Sequence, residues 1–160
     1  MKNEKVEFFT LHNDKGQSIL DADLARWNVS QEPLKRIYGP FIRRSWQVNG
    51  EELESSRPGN WCLLPDASGF ILFENDWRPD NSVVLDAYGN ERMRLMVPKK
   101  LLPGIDDSSM LSTCFLWLEP SGKEGQCRLI GSVGEAMAGD FGCDFDYVNG
   151  VFLKCYKVRI

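Results

Sequence analysis

The feature that most constrains this chain is a series of β-type segments that follows Pro40 and continues to residue 160. Apolar and polar residues alternate within the segments, and short stretches rich in Gly, Asn, Asp and Pro separate them. Two of these connections, Asn49-Gly50 and Asn149-Gly150, favour type I′ turns, because such turns need positive φ at both central residues. We therefore predict a meander of antiparallel hairpins.

One hairpin of this meander is predicted over residues 82–98, SVVLDAYGNERMRLMVP, with its turn at Tyr88, Gly89 and Asn90. The second half, RMRLMV, alternates arginines with apolar residues. Successive side chains of a strand point to opposite faces, so this alternation predicts one buried face and one largely solvated face. The hairpin is thus interpreted as framework and not as a binding site.

A different pattern occupies residues 21–38, where apolar side chains recur at roughly helical spacing and Gly39 supplies a stop signal. We predict one or two short helices there, packed on the sheet. The predicted fold is α+β and mostly β, with a meandering antiparallel sheet bent into a barrel or sandwich and one or two short helices in the N-terminal third. A chain of 160 residues suits a single domain spanning residues 1–160.

Composition and cysteine usage indicate an ordinary packed protein, with 42% hydrophobic and 26% charged residues. No apolar run approaches the roughly 20 residues of a membrane span, and the first ten residues lack the apolar core of a signal peptide. The five cysteines are odd in number and include no CxxC pair. These observations predict five reduced thiols and a cytoplasmic location.

Residues that could carry catalysis are few. The single histidine, His12, lies beside a turn, and the sequence contains no GxSxG nucleophile elbow and no zinc-ligand spacing. Asp140, Asp144 and Asp146 could ligate a divalent cation, although the pattern around them is not that of an EF-hand loop. We expect no catalytic residues and no cofactor, and a metal-dependent enzyme using this Asp cluster is kept as an alternative.

The distribution of charge is more informative than the net charge of −4. Residues 51–91 contain nine acids but only two basic residues, Arg57 and Arg78. The preceding stretch, LKRIYGPFIRRSW, interleaves basic and aromatic residues as single-strand nucleic-acid sites do. A pI of about 5.1 argues against a polyanionic partner, so the acidic segment is the better candidate for a binding surface.

These arguments predict a small cytosolic non-enzymatic protein that binds another macromolecule through an acidic face, of the toxin-neutralising or adaptor type. The expected partner is a protein with a basic surface, because an acidic surface steers such a partner by long-range attraction. A small-ligand-binding β-barrel, with Trp and Phe side chains lining its mouth, is the second alternative. The residues predicted to form the acidic face are Glu51, Glu52, Glu54, Glu74, Asp76 and Asp80.

Overall fold

Three four-stranded antiparallel sheets dominate the computed structural model, which describes residues 4–20, 36–102, 104–133 and 141–157. The first sheet, in the order β2-β1-β3-β4, contains β1 (Glu7–Asn13), β2 (Ser18–Leu20), β3 (Phe41–Val48) and β4 (Glu51–Ser55). The second, in sequence order, contains β5 (Asn60–Leu63), β6 (Gly69–Phe73), β7 (Ser82–Asp86) and β8 (Glu91–Leu95). The third, in the order β12-β11-β10-β9, contains β9 (Thr113–Pro120), β10 (Gln126–Val133), β11 (Phe141–Asp146) and β12 (Val151–Lys157).

Helical structure is short in the described residues. A 3-10 turn spans Lys99–Leu101, and a four-residue helix spans Asp107–Met110. Helices are predicted over residues 21–38. Residues 21–35 of this segment lie outside the described residues, and residues 36–38 are helical. In the described part of the chain, no helix has the length and apolar character needed to cross a membrane.

The second sheet is the middle layer, because two separate hydrophobic cores lie against its two faces. Phe70 and Leu72 of β6 pack with the first sheet, whereas Ile71 and Phe73 pack with the third. The central strands β6 and β7 are therefore buried on both sides, as their nearly uninterrupted apolar sequences require. The solvated face predicted for RMRLMV is present in β8, where Arg92 and Arg94 are exposed and Leu95 is buried.

The antiparallel, mostly β prediction is confirmed, but the strands of the described residues do not close into a barrel. Each sheet stays open and buries its apolar side against a neighbouring layer. Trp46 and Trp61 pack against each other and Phe70 in the first core, so their rings do not line a pocket mouth. These contacts do not test the ligand-binding alternative, which stays a prediction.

The two Asn-Gly pairs behave differently. Asn49 and Gly50 have φ values of 52° and 81°, which confirms the type I′ turn between β3 and β4. The β11–β12 connection is instead a four-residue loop, because Asp146 pairs with Val151 across the two strands. The Asp146 carboxylate accepts hydrogen bonds from the backbone at residues 148 and 149, so this side chain organises a wider turn than the Asn-Gly pair predicts.

Replacing Gly89 by Ala is expected to lower the free energy of unfolding by more than replacing Gly50 by Ala. Both glycines have positive φ, where a side chain costs about 1 kcal/mol. A Cβ at Gly89 would also lie 3.1 Å from Cζ2 of Trp46, whereas one at Gly50 would meet nothing within 4 Å. The Trp46 ring cannot move away easily because Nε1 donates to the carbonyl of Ala87. Urea unfolding measures both losses, and equal values would contradict the role of the indole contact.

The cysteines differ from the prediction of five reduced thiols. Cys143 and Cys155 lie directly opposite each other on β11 and β12 and form a disulfide. Burial raises the pKa of Cys114 to about 11 and that of Cys127 to about 12, so these thiols carry little thiolate at neutral pH. Disulfides persist in oxidising surroundings, so cysteine usage no longer supports a cytoplasmic location. An odd count could not reveal this pair, because the pairing depends on the register of two strands.

Thiol titration of the denatured, unreduced protein is expected to give three reactive thiols per chain, since two of the five cysteines are in the disulfide. Replacing Cys143 by Ser should raise this count to four, because the substitution releases the thiol of Cys155. A count of five for the unreduced wild-type protein would show that the two cysteines remain reduced. The fully reduced wild-type protein, expected to give five, is the control.

Candidate functional site

The outer face of the first sheet, which points away from the second sheet, is polar along β1, β3 and β4. Trp46 and Val48 of β3 point inward to the core, so the alternate residues of the same strand point outward. Cross-strand pairing then aligns Gln47 with Glu52 and Ser45 with Glu54. The outward positions are Thr10, His12, Arg43, Ser45, Gln47, Glu52 and Glu54.

An open groove of about 570 Å³ lies on this face. Its floor combines hydroxyl, amide and ionised side chains, so the groove suits a polar, extended occupant better than an apolar small molecule. The lining residues are Phe8, Thr10, Arg43, Ser45, Trp46, Gln47, Glu52, Leu53 and Glu54.

Phe8 places an exposed aromatic ring at this groove. The residue has a φ of 56° and is 64% exposed, an unusual combination for a bulky side chain inside a strand. The pairing of β1 with β3 is irregular between Glu7 and Thr10, and this bulge turns the ring outward. Exposed aromatic rings are frequent anchors of protein interfaces, because they bury a large area with little loss of side-chain entropy.

The charge of the groove is negative. Glu54 pairs with Arg43 at 3.1 Å, but its side chain remains 67% exposed. Glu51 and Glu52 are also exposed. Two carboxylates of β4, those of Glu52 and Glu54, therefore line the groove beside the single guanidinium group of Arg43, which leaves negative charge for a partner to neutralise.

His12 is held in the same face by two serines. Its Nδ1 lies 2.8 Å from Oγ of Ser18, and its Nε2 lies 2.7 Å from Oγ of Ser45. Partial burial and the nearby charge of Arg43 lower the pKa of His12 below 6.5, and Glu54 opposes this shift. The ring is therefore mostly neutral at pH 7. A Ser-His-Asp mechanism needs a carboxylate on one ring nitrogen, and here both nitrogens contact hydroxyl groups.

The second half of the predicted acidic face is an ion-pair cluster centred on Arg78 and Glu74. The guanidinium group of Arg78 contacts three carboxylates, those of Glu74, Asp76 and Asp80. The carboxylate of Glu74 contacts three guanidinium groups, those of Arg57, Arg78 and Arg94. The hydrogen bond from Arg94 is the main cause that lowers the pKa of Glu74. All three acids thus have cationic partners, unlike Glu51 and Glu52 in the contacts described above.

The aspartates considered as metal ligands have other partners. Asp144 contacts Arg128 and accepts a hydrogen bond from the hydroxyl of Tyr156, and Asp146 holds the β11–β12 loop. Asp140 lies outside the described residues. Within the described residues, no group of three His, Cys, Asp or Glu side chains could hold a metal ion.

The basic stretch does not form one surface. Arg43 is outward, but Arg44 is only 4% exposed and donates to the carbonyls of Phe41, Arg57 and Gly59. Trp46 is also buried, so it cannot stack on a base. Lys35 lies outside the described residues. Strand alternation places Arg44 on the core side, so the basic and aromatic residues of this stretch do not share one exposed surface.

Comparison with known proteins gives a fold relationship. One chain of the solved structure described as "Structure of Tne2 in complex with Tni2" is similar to this chain, with a TM-score of 0.63 and 14% sequence identity. The similarity covers 96% of this chain and 99% of that chain. No family model matches the sequence, and no curated protein is similar to it in sequence. At 14% identity, the likeness shows a shared fold alone.

Sequence reasoning identified Glu52 and Glu54 but missed Phe8 and the polar row of β3. The alternation in FIRRSWQV contains the signal for Arg43, Ser45 and Gln47, because the apolar Trp46 and Val48 fix which positions point inward. No comparable signal existed for Phe8, since an outward phenylalanine within an apolar strand depends on the bulge. These residues join the candidate site only once the pairing of β1 with β3 is known.

Proposed function

We propose that this chain is a non-enzymatic protein that binds a basic protein partner through the outer face of the first sheet, in the manner of a toxin-neutralising protein or an adaptor. The observation that carries the proposal is the open groove of about 570 Å³ with Glu52 and Glu54 on one wall. Groove and charge occur together here, which makes this face a better candidate than the acidic segment as a whole.

Electrostatics supports a basic partner. The exposed carboxylates of Glu51, Glu52 and Glu54 lie within five consecutive residues of one strand. Exposed charges add little to folding stability, but they raise association rates with an oppositely charged protein. Phe8 supplies an apolar contact at the same groove. Charge for encounter and an aromatic ring for close packing are the two elements that protein interfaces combine.

The proposal restricts the predicted acidic face to its β4 half. Glu74, Asp76 and Asp80 remain acidic, but Arg78 contacts all three carboxylates. A partner that bound these carboxylates would have to displace Arg78, and the protein would lose ion pairs that it already has in the free state. We therefore assign partner contact to Glu52 and Glu54, and a mainly structural role to the cluster around Arg78. Glu51 lies on the opposite face of β4 by strand alternation and contributes its charge to long-range attraction alone.

The fold relationship also supports a protein partner. The similar chain belongs to a structure in which Tne2 and Tni2 form a complex, and the similarity extends over nearly the full length of both chains. A stack of β layers of this size can therefore take part in a two-protein complex. The choice of partner chemistry for this chain comes from its own groove and charges.

The proposal is tested with two charge-reversal variants of equal net change. The first carries Glu52→Lys and Glu54→Lys in the groove, and the second carries Asp14→Lys and Glu124→Lys at exposed positions in other loops. Bait pull-downs from host lysate at low and high salt identify proteins retained by wild type, and stopped-flow mixing then measures their association rates.

A partner of the groove should associate at least tenfold more slowly with the first variant, because long-range attraction is reversed to repulsion. The second variant should slow association much less, and added salt should reduce the difference between the two. Equal rates for both variants, or binding that does not depend on salt, would contradict an acidic groove as the binding site.

A further inference from the structure

Strand β4 lies at one edge of the first sheet, which has the order β2-β1-β3-β4. An edge strand uses one row of its backbone N–H and C=O groups for its neighbour and presents the other row outward. Such an edge can accept an extended segment of another protein, which adds a strand to the sheet. The question is which residues of β4 present their backbone at this edge.

The turn at Asn49-Gly50 settles the hydrogen-bond pattern. In a two-residue hairpin, the residues that flank the turn, here Val48 and Glu51, form a hydrogen-bonded pair, and such pairs then alternate along the strands. Leu53 and Ser55 therefore also bond to β3. The backbone groups of Glu52 and Glu54 point the opposite way, toward the open edge.

Glu52 and Glu54 thus have two properties at once. Their backbone groups face the open edge, and their carboxylates line the groove on the outer face. The two residues are roughly 7 Å apart along the strand, which is the repeat of alternate side chains in any partner strand. An added antiparallel strand would place its alternate side chains directly beside these two carboxylates.

We propose that β4 binds an extended segment of the partner by antiparallel strand addition, with Arg or Lys at two alternate positions facing Glu52 and Glu54. This inference rests on the proposed function, since it names the part of the basic partner that enters the groove. Main-chain hydrogen bonds hold the segment, and the two carboxylates select its basic residues.

A second copy of this chain fits the edge less well. Pairing β4 with another β4 would bring glutamates against glutamates, and like charges directly opposite each other destabilise a sheet. The basic edge strand β12 carries Lys154 and Lys157, whose spacing of three residues places them on opposite faces. The edge strand β8 does carry arginines at alternate positions, but Arg94 already contacts Glu74 and Arg92 donates to the carbonyl of Tyr147. The occupant is therefore a segment of a different protein.

The test uses the intact protein labelled with ¹⁵N and three versions of the peptide Thr-Arg-Thr-Arg-Thr-Arg-Thr. In the parent peptide, Arg residues opposite Glu52 and Glu54 would form hydrogen-bonded backbone pairs with them. One matched peptide is N-methylated at every Arg, and the other at every internal Thr. Amide hydrogen exchange and chemical shifts of β4 report binding.

The parent and the N-methyl-Thr peptides should slow amide exchange at Glu52 and Glu54 by about tenfold or more at saturation, with little change at Leu53. The N-methyl-Arg peptide should bind at least about tenfold more weakly, because it lacks the donors that face the edge. The charge-neutral variant Glu52→Gln with Glu54→Gln should also weaken binding of the parent peptide about tenfold. The control variant, Asp14→Asn with Glu124→Asn, should not weaken binding of the parent peptide.

Two results would overturn the inference. Equal affinity of the N-methyl-Arg and N-methyl-Thr peptides would show that the backbone edge is not used. Shifts outside the groove, or no protection at Glu52 and Glu54, would place the basic segment elsewhere. If either result occurs while the charge-reversal variants still slow association with a protein partner, strand addition is wrong and the proposed function stands.

Discussion

Replacing Arg44 by Met is expected to lower the free energy of unfolding by about 3 kcal/mol or more. The guanidinium group of Arg44 is buried and donates hydrogen bonds to three backbone carbonyls, those of Phe41, Arg57 and Gly59. Met keeps most of the side-chain volume but provides no donor. Buried carbonyl groups would then lose their partners, and each such loss is costly.

The position of these carbonyls explains why the effect should be large. Phe41 begins β3, whereas Arg57 and Gly59 lie in the segment between β4 and β5, so Arg44 ties the first sheet to the chain that enters the second. Burial lowers the pKa of Arg44 to about 10, which still leaves it charged at pH 7. The partners described for this cation are backbone carbonyl groups of β3 and of the segment between β4 and β5. Removing the guanidinium group therefore weakens the connection between the first sheet and the chain that enters the second.

Arg43→Met is the matched control, because the two arginines are neighbours on the same strand. Arg43 is half exposed and pairs with Glu54 on the outer face, so its loss should cost no more than about 1 kcal/mol. Urea unfolding of both variants gives the comparison. Arg44→Lys, which keeps the charge but lacks the planar group of donors, should fall between wild type and Arg44→Met. Similar costs at positions 43 and 44 would contradict the role of the buried hydrogen bonds.

Much of the local structure follows from sequence, because hairpins depend on residues close together in the chain. The Asn49-Gly50 turn and the alternation of β3 were sufficient to predict the pairing of β3 with β4. The stacking of three sheets was not predictable in this way. It depends on which sheet the apolar residues of β6 and β7 contact, and those contacts join residues far apart in sequence.

The candidate site was predictable only in part for a similar reason. A count of acids treats Glu52 and Glu74 alike, although Glu74 contacts three arginines and Glu52 faces the groove. Arg57 and Arg78 were visible in the acidic segment, but Arg94 follows it and reaches Glu74 only through the pairing of β7 with β8. Net charge of a segment is therefore a weak guide to free charge on a surface.

The buried Asn81 offers a second large effect, at the junction of the second and third sheets. Asn81 is 1% exposed and immediately precedes β7. Its Nδ2 donates to the carbonyl of Phe115 at 2.8 Å, and its Oδ1 accepts from the backbone N–H of Phe115 at 3.0 Å. The side chain thus pairs with one residue of β9 as a neighbouring strand would. Nδ2 also donates to the carbonyl of Glu74.

Asn81→Ala is expected to lower the free energy of unfolding by about 3 kcal/mol, because both backbone groups of Phe115 lose a buried partner. Asn75→Ala, at an exposed position in the same connection between β6 and β7, should change stability by no more than about 0.5 kcal/mol. Urea unfolding gives both values, and hydrogen exchange at the Phe115 amide should accelerate only in the Asn81 variant. A loss below about 1 kcal/mol with unchanged exchange at Phe115 would mean that apolar packing alone holds these two layers together.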